Sequence, residues 1–334
     1  MALIQEGMKK KIALVTGGYS GEAEISYKSA ITVGNNIDKE KFFSYKIDIT
    51  PTEWAYIDEN EQRSPVNKED FSIVDSQGNR ITFDAILLCI HGTPGEDGKL
   101  QGYFDMLKLP YTSCDVATSA ITFNKRYTVA IAAFGGINVA KSLHLFKHTP
   151  IANDTILSSL KLPLFVKPNN GGSSLGISKV HAAEELQTAL DKAFKEDDQV
   201  LVEEFIKGRE FTVGVFKFKG KITTLPITEV ITKKEFFDYE AKYQGLSEEI
   251  TPALLDTSDA NAINEAALKV YQVLNCRGVV RVDFILNEAD RKPYMLEVNT
   301  VPGQSAASII PQQVKVMGWD LKDFYTAIIE EAIL

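Results

Sequence analysis

Two short strands near the C-terminus constrain the fold of this chain more than any other feature. The segments VVRVDFIL (279–286) and YMLEVN (294–299) are separated only by NEADRKP. Residues two apart in a strand share a face, and so short a connection folds the two strands against each other. We therefore expect four polar side chains to converge on one surface: Arg281, Asp283, Glu297 and Asn299.

The chemistry of these four groups favours a divalent cation. Two carboxylates and an amide oxygen are hard ligands that suit Mg²⁺, which also takes oxygens from nucleotide phosphates. The set contains no His or Cys, so it does not fit zinc. The alternative is a pair of structural ion pairs on a sheet face. The continuation into a Pro-Gly turn and the small residues SAAS (305–308) favours the site, because such a run can expose backbone donors.

A glycine-rich segment, KPNNGGSSLG (167–176), is the second informative feature. In a P-loop the lysine follows the glycines and opens a helix, whereas Lys167 precedes them and a strand follows. The segment GGYSG (17–21) also lacks the spacing of a Rossmann fingerprint. What remains is a turn between two strands whose backbone N–H groups can hold phosphate oxygens, with Lys167 adding a charge. An ordinary hairpin is the alternative.

The N-terminal stretch is typical of an α/β unit. The strand KIALVT leads into the turn GGYSGEAEIS and a helix, and further strands are expected at 44–50 and 81–90. We expect a mostly parallel sheet flanked by helices. Ligands collect beyond the carboxyl ends of such strands, where GGYSGE and HGTPGEDG (91–98) fall. Residues 52–80 receive no role.

The rest of the chain has an α+β pattern. Strands LPLFVK and GISKV surround the glycine-rich turn, the helix AAEELQTALDKAFK follows, and QVLVEEFI is a strand again. From Phe211 onward the pattern is rich in strands, with a helix near 260–274. The polar, aromatic segment KKEFFDYEAKYQG (233–245) has the composition of a lid over a site.

Composition excludes several classes of protein. The chain has 334 residues and a net charge of −9, and its longest basic run is three lysines, which argues against a nucleic-acid partner. No apolar segment approaches the roughly 18 residues of a membrane span. The three cysteines lie far apart without CxxC spacing, so neither zinc nor a disulfide framework is expected. These features predict a cytoplasmic protein that acts on small molecules.

Eight segments in order give the chain a family resemblance: GGYSGEAEIS, HGTPGEDGKLQG, LPYTSCDVATSA, KPNNGGSSLGISKV, EFTV, FDYEAKY, RVDF and LEVNTVPG. With these segments the chain resembles the ATP-grasp ligases and, among them, the D-alanine–D-alanine ligase family. The resemblance implies an α/β N-terminal domain plus α+β ATP-grasp central and C-terminal domains. We place them at 1–124 (substrate side), 125–210 (central) and 211–334 (catalytic).

The resemblance also implies which residues bind ATP. Lys125 and Lys167 would contact the phosphates, with Ser173 and Ser174 in the loop that covers them. The adenine-binding segment is matched by Glu203, Glu204, Phe205 and Ile206, and the ribose-binding carboxylate by Glu210. Lys242 would close over the nucleotide from the lid. Each of these charges has a simpler alternative as a solvated residue.

For the chemistry, the resemblance implies two Mg²⁺ ions, with Mn²⁺ as an alternative metal, held by Asp283, Glu297 and Asn299. Arg281 and the backbone N–H of Gly303 would stabilise an oxyanion. Glu22 would hold the first D-alanine and join a hydrogen-bonded trio with Ser173 and Tyr243. His91 would lie near substrate, and Ser308 with Ile309 would bind the carboxylate of the second substrate.

The implied activity is ATP-driven ligation of two D-alanines for peptidoglycan precursors, through a D-alanyl phosphate, with ADP and phosphate as products. D-lactate or D-serine as second substrate is the nearest alternative, and Tyr243 favours the dipeptide. A nicotinamide-dependent dehydrogenase with Asp48 on the ribose is another, but it leaves the RVD and EVN segments unexplained. A non-catalytic nucleotide-binding module is the third. The family is often dimeric, so a homodimer is also implied.

Overall fold

The computed structural model describes residues 9–172, 175–232 and 247–334. Four predicted site residues lie outside these ranges: Ser173, Ser174, Lys242 and Tyr243. Within the described residues, no helix combines the length and the apolar character that crossing a bilayer requires.

The N-terminal part is built on a five-stranded sheet. Its strands are β1 (Lys10–Gly17), β2 (Phe42–Ile49), β3 (Trp54–Ile57), β4 (Arg63–Pro65) and β7 (Ala85–Leu88). Between β4 and β7 in the chain, β5 (Ile73–Val74) and β6 (Arg80–Ile81) form a separate two-stranded ribbon. The order is β4-β3-β2-β1-β7. Two helices accompany it, α1 (Ala23–Asn36) and α2 (Lys99–Leu107).

The expectation of a mostly parallel sheet is right for only half of this sheet. β1 is parallel to β2 and β7, as predicted, whereas β3 and β4 are antiparallel to their neighbours. The short turn between Thr50 and Glu53 explains the difference, because parallel strands need a long crossover and antiparallel strands do not. Residues 52–80, which received no role, therefore form the outer strands of the sheet and the small ribbon.

The central part is an antiparallel four-stranded sheet with one covering helix. Two helices precede this sheet, α3 (Val116–Phe123) and α4 (Lys125–Phe134). The elements of the central part are then β8 (Ser142–Phe146), α5 (Asn153–Ser159), β9 (Leu164–Pro168), β10 (Ser178–Val180), α6 (Leu186–Glu196) and β11 (Gln199–Glu204). The strand order is β10-β9-β11-β8. The apolar face of α6 buries Leu186, Leu190 and Ala193, as its periodicity predicts.

The C-terminal part is a larger antiparallel sheet. Its elements are β12 (Gly208–Phe218), β13 (Lys221–Thr224), β14 (Thr228–Thr232), β15 (Ser247–Ile250), α7 (Thr257–Val273), β16 (Val279–Asn287), β17 (Pro293–Asn299), α8 (Ile309–Val316) and α9 (Leu321–Ile333). The order is β15-β14-β12-β16-β17, with β13 beside β12. The predicted hairpin is confirmed, because β16 and β17 pair antiparallel with Arg281 opposite Asn299 and Asp283 opposite Glu297.

One apolar core joins the last two helices to the N-terminal sheet. Val314 on α8 and Phe324 on α9 pack in the same cluster as Leu14 and Leu87. This packing places the loop that follows β17 next to the carboxyl ends of β1 and β7. The loops from opposite ends of the chain thereby face one another.

Candidate active site

Two adjoining clefts contain all the predicted site residues that the structure describes. The first, of about 390 Å³, lies between the central and C-terminal sheets, and the second, of about 400 Å³, lies between the C-terminal sheet and the N-terminal loops. The residues that line both clefts include Lys125, Gly171, Gly172, Glu210, Asp283 and Glu297. A group bound at this boundary would be within reach of both clefts.

The described residues that are predicted to bind ATP line the first cleft. They are Lys125, Lys167, Glu203, Glu204, Phe205, Ile206 and Glu210. A drug-sized ligand needs a cleft of about 300–1,000 Å³, so the volume suits a nucleotide. The structure thus brings together, at one place, residues spread over 86 positions of the sequence, from 125 to 210.

The glycine-rich turn forms one end of the first cleft. It connects β9 to β10, which pair antiparallel with Val166 opposite Ser178, so the predicted turn between two strands is confirmed. Lys167 on β9 forms an ion pair with Glu203 on β11. Lys125, the first residue of α4, donates from Nζ to the carbonyl of Gly171 at 2.8 Å. Two cations therefore stand beside the described part of the turn.

The adenine segment differs from its predicted conformation. The prediction placed Glu203 to Ile206 on one strand, but β11 ends at Glu204, where its partner β9 begins with Leu164. Phe205 follows the strand and donates its backbone N–H to the carbonyl of Pro163 at 3.0 Å. Because pairing stops there, Phe205 and Ile206 line the cleft from a connection between strands.

Charged groups on β16 and β17 form the floor of the second cleft. Arg281 donates from Nε and Nη2 to the two carboxylate oxygens of Asp283 at 2.9 and 2.8 Å. Asp283 also accepts hydrogen bonds from Thr212 Oγ1 and from Asn299 Nδ2, the latter at 3.3 Å. Burial acts to lower the pKa of Arg281, but the charges of Asp283, Glu297 and Glu96 outweigh it and raise this pKa. Arg281 therefore stays a cation.

This set fits a hard divalent cation only together with other ligands. The described residues contain no cluster of three His, Cys, Asp or Glu that would hold a metal by itself. Asp283 and Glu297 lie directly opposite each other, and the Nδ2 of Asn299 points at Asp283. Two carboxylates and one amide oxygen leave further coordination positions for phosphate oxygens, as is usual for Mg²⁺.

Glu22 lies where two glycine loops meet. A Cβ atom at Gly172 would be 2.8 Å from Glu22 Oε1, and one at Gly92 would be 2.7 Å from Glu22 Oε2. A side chain at either position would therefore require the Glu22 carboxylate to move. The Glu22 carboxylate thus lies beside Gly172, the last described residue of the glycine-rich turn before Ser173.

His91 and Gly303 line the second cleft with Ser308 and Ile309. The two ring nitrogens of His91 contact protein: Nδ1 lies 2.7 Å from the carbonyl oxygen of Val301, and Nε2 lies 3.0 Å from Ser29 Oγ. Burial lowers the pKa of His91 to about 4. Ser308 precedes α8, and its hydroxyl lies 2.8 Å from Ser305 Oγ.

Several residues of the second cleft were not singled out from the sequence. Glu96 accepts from the backbone N–H of Gly92 at 2.7 Å and of Val301 at 3.1 Å. Burial and the charge of Glu22 raise the pKa of Glu96 to about 8. Glu249 on β15 accepts from Gln312 Nε2 at 3.0 Å, and its pKa is raised by burial. The position of HGTPGEDG after a strand was a signal for Glu96, and nothing local pointed to Glu249.

Asp48, the ribose acceptor in the dehydrogenase alternative, is engaged elsewhere. Its carboxylate accepts from Tyr27 OH at 2.9 Å and from Arg63 Nη2 at 3.0 Å. A Cβ atom at Gly17 would also lie 2.5 Å from Asp48 Oδ1. Asp48 therefore ties β2 to α1 and β4, and it lines neither of the two clefts.

Comparison with known proteins agrees with this arrangement. Residues 11–114 match the family model described as D-ala D-ala ligase N-terminus, and residues 131–330 match the one described as D-ala D-ala ligase C-terminus. The chain is 46% identical to a D-alanine–D-alanine ligase of Parabacteroides distasonis, with 98% of each chain aligned. It is 45% identical to that of Flavobacterium johnsoniae, over 96% of this chain and 98% of the relative.

Solved structures show the same fold. The VanG D-Ala:D-Ser ligase from Enterococcus faecalis has a TM-score of 0.85 at 31% identity, covering 97% of this chain and 100% of its own. The D-alanine–D-alanine ligase from Bacillus anthracis complexed with ATP has a TM-score of 0.77 at 30% identity, covering 97% of each chain. The chain belongs to the D-alanine–D-alanine ligase family and has its ATP-grasp fold.

Proposed function

We propose that this chain joins two D-alanine molecules into D-alanyl-D-alanine at the expense of ATP, releasing ADP and phosphate. The observation that carries the proposal is the shared boundary of the two clefts, where Lys125, Glu210, Asp283 and Glu297 face both spaces. ATP in the first cleft would present its γ-phosphate there. A D-alanine carboxylate in the second cleft would meet it at the same place.

In the first step, the carboxylate oxygen of the first D-alanine attacks the γ-phosphorus and the bond to the β-phosphate oxygen breaks. The products are an acyl phosphate and ADP. Such transfers depend on positioning and on neutralising charge. Lys125 and Lys167 supply positive charge at the phosphate end of the first cleft, and Glu22 holds the ammonium group of the first D-alanine.

In the second step, the free amine of the second D-alanine attacks the activated carbonyl carbon, and phosphate leaves as the amide forms. Negative charge develops on the carbonyl oxygen. Arg281 and the backbone N–H of Gly303 stabilise it, and both residues line the second cleft. Ser308 and Ile309, at the start of α8, bind the carboxylate of the second D-alanine.

Asp283, Glu297 and Asn299 are the residues that would hold Mg²⁺, with two ions as the proposed number. When bound, the metal neutralises phosphate charge during transfer. The arrangement of hard oxygen donors beside the boundary of the clefts supports this assignment. Arg281 and Thr212 fix the Asp283 carboxylate in place before any ligand arrives.

D-Alanine is preferred over D-lactate and D-serine as the second substrate. Two relatives named D-alanine–D-alanine ligase are 45% and 46% identical to this chain, whereas the solved D-Ala:D-Ser ligase is 31% identical and the solved D-alanine–D-alanine ligase from Bacillus anthracis 30% identical. We propose that Tyr243, which like Lys242 lies outside the described residues, selects an amine as the second nucleophile, and that Lys242 acts on the nucleotide. Tyr243→Phe is expected to relax the preference for D-alanine over D-lactate in steady-state rates, and an unchanged preference would discard the role.

The proposal also covers the biosynthetic role, the location, the oligomeric state and the unit boundaries of the enzyme. The dipeptide is a peptidoglycan precursor, so the chain acts in cell-wall synthesis. We propose a cytoplasmic homodimer with unit boundaries near residues 124 and 210. Size measurements in solution would test the dimer.

The direct test is a panel of D-amino and D-hydroxy acids with saturating ATP and Mg²⁺. ADP release would be followed by a coupled assay and products identified by mass. We expect D-alanine-dependent ADP release with D-alanyl-D-alanine as the main product. ADP release without any amino acid, or a depsipeptide as the main product, would contradict the proposal.

A further inference from the structure

A buried polar chain ties the turn that contains Gly303 to the N-terminal part of the molecule. Ser29 on α1 is fully buried, and His91 and Gln304 are each 7% exposed. Ser29 Oγ lies 3.0 Å from the backbone nitrogen of Gln304 and 3.0 Å from His91 Nε2. His91 Nδ1 lies 2.7 Å from the carbonyl oxygen of Val301. We call these contacts the Ser29 chain.

The hydrogen atoms of the Ser29 chain have one consistent arrangement. A carbonyl oxygen only accepts, so His91 Nδ1 carries a hydrogen and donates to Val301. The backbone N–H of Gln304 only donates, so Ser29 Oγ accepts from it. Ser29 then donates its own hydrogen to His91 Nε2. Burial lowers the pKa of His91 to about 4 and so keeps Nε2 without a second proton at neutral pH.

The Ser29 chain holds the turn on both sides of Gly303. Val301 lies two residues before Gly303, and Gln304 directly follows it. The backbone N–H of Gly303 can stabilise an oxyanion well only if it already points at the place where the charge develops. The group between Gln304 and His91 must accept one hydrogen bond and donate another. A hydroxyl is a small side-chain group that does both.

We propose that Ser29 is a positioning residue for the oxyanion donor, acting through the Gln304 N–H and His91 on the turn around Gly303. This inference rests on the proposed ligase function. Ser29 touches neither substrate, because it is fully buried and lines neither cleft.

Other contacts keep the turn folded when the Ser29 chain is broken. Glu96 accepts from the N–H of Val301 at 3.1 Å, and Tyr325 OH donates to Gln304 Oε1 at 3.3 Å. Loss of the Ser29 hydroxyl is therefore expected to loosen the turn by a small displacement. A displacement of about 1 Å at a reacting centre can reduce rates by roughly 100-fold, so the catalytic effect should exceed the structural one.

Three variants test the proposal. Ser29→Ala removes the hydroxyl, and Ser29→Thr retains it. Ser119→Ala is the matched control, because Ser119 is also fully buried on a helix and donates to a backbone carbonyl, that of Cys114, at 3.2 Å. The measurements are kcat with D-alanine, the Kd for ATP, the unfolding temperature, and the Kd for a phosphinate dipeptide that mimics the tetrahedral adduct.

We expect Ser29→Ala to lower kcat by ten-fold or more and to weaken phosphinate binding by a similar factor. The Kd for ATP should stay within two-fold, because the first cleft does not depend on this turn. Ser119→Ala should stay within two-fold of the unmodified chain in kcat and both Kd values. Ser29→Thr, if its unfolding temperature shows that it folds, should recover most of the loss.

Other results would overturn the proposal. They are a kcat of Ser29→Ala within two-fold of the unmodified chain, an equal loss of ATP and phosphinate affinity, or a folded Ser29→Thr as impaired as Ser29→Ala. If Ser29→Thr does not fold, the comparison of Ser29→Ala with Ser119→Ala decides alone. If the unmodified chain shows no D-alanine-dependent turnover, the proposed function fails as well.

Discussion

The two walls of the second cleft are built on different principles. On the C-terminal sheet, Arg281, Asp283 and Asn299 bind one another through side chains that strand register places in a row. On the N-terminal side, Glu96 accepts from the backbone N–H groups of Gly92 and Val301, and His91 contacts the carbonyl oxygen of Val301 and the buried hydroxyl of Ser29. The C-terminal side, which we call the sheet wall, therefore provides charged side chains held on paired strands. The N-terminal side, which we call the loop wall, fixes the positions of backbone groups in the loops that it contacts.

This difference predicts how each wall responds to substitution. Removing a charge from the sheet wall should change the chemistry and leave the architecture intact, because the register depends on backbone pairing. Removing a group from the loop wall should shift the backbone that it binds. Substitutions at Glu297, Arg281 and Glu96 test that distinction, and one at Lys167 tests the first cleft; they follow in order of decreasing effect.

Glu297→Gln should have the largest effect. The change keeps the shape of the side chain but removes one of the two carboxylates proposed to hold metal, and metal assistance is worth several kcal/mol. We expect D-alanine-dependent ADP release to fall by at least about 1000-fold. The unfolding temperature should be nearly unchanged, as for Glu288→Gln, the same change outside both clefts.

A large loss of stability in Glu297→Gln with partial activity would contradict the distinction. It would favour the structural ion-pair interpretation of the sheet face.

Arg281→Lys should follow in size. Lysine keeps the positive charge but cannot make the paired contacts that Arg281 makes with Asp283 at 2.9 and 2.8 Å. Loss of one oxyanion donor typically reduces kcat by about 100- to 1000-fold, and we expect a loss in that range. Steady-state kinetics with the control Arg291→Lys, which changes an arginine paired with Asp259 outside the clefts, would measure it. A full-rate Arg281→Lys enzyme would exclude this role.

Lys167→Met should raise the KM for ATP by about ten-fold or more, since a hydrogen bond to a charged group contributes about 1.5–3 kcal/mol. Lys179→Met is the control, because Lys179 Nζ lies over the ring of Phe205 at 4.2 Å and Lys179 does not line the first cleft. Its effect on KM should remain within a few-fold. Equal effects of the two substitutions would argue against a specific phosphate contact by Lys167.

Glu96→Gln probes the loop wall and should have the smallest effect. The folded chain raises the pKa of Glu96 from its usual 4.5 to about 8. Between these values the folded state holds a proton that the unfolded state has lost, so this group's contribution to stability falls as pH rises and levels off above about 8. Glu96→Gln cannot titrate and should lack this fall. Urea unfolding at pH 5 to 8 would measure the free energy of unfolding of both chains. Parallel pH profiles of this free energy for the unmodified chain and Glu96→Gln would contradict the prediction.

The sheet wall could be predicted from the sequence because its determinants are local. The alternation of VVRVDFIL and YMLEVN, and the short segment between them, specify which side chains share a face. The same holds for the turn after Lys167, which is flanked by two recognisable strands. Pairing with a third strand is not local, and for this reason the prediction extended β11 beyond Glu204.

The loop wall could not be predicted in the same way. The contact between Ser29 and Gln304 joins residues 275 positions apart, and that between His91 and Val301 joins residues 210 apart. Each depends on the packing of α8 and α9 against the N-terminal sheet, which no periodicity of the single segments reveals. His91 and Gly303 were found through family resemblance, whereas Ser29 and Glu96 needed the structure.

The most direct test of the central claim, that the γ-phosphoryl group passes to a D-alanine carboxylate at the shared boundary of the clefts, follows the carboxylate oxygen. D-Alanine labelled with ¹⁸O in both carboxylate oxygens would be incubated with unlabelled ATP and Mg²⁺, and the released phosphate analysed by mass. We predict one ¹⁸O atom in each phosphate formed together with dipeptide. Dipeptide formation with phosphate free of ¹⁸O would contradict the claim.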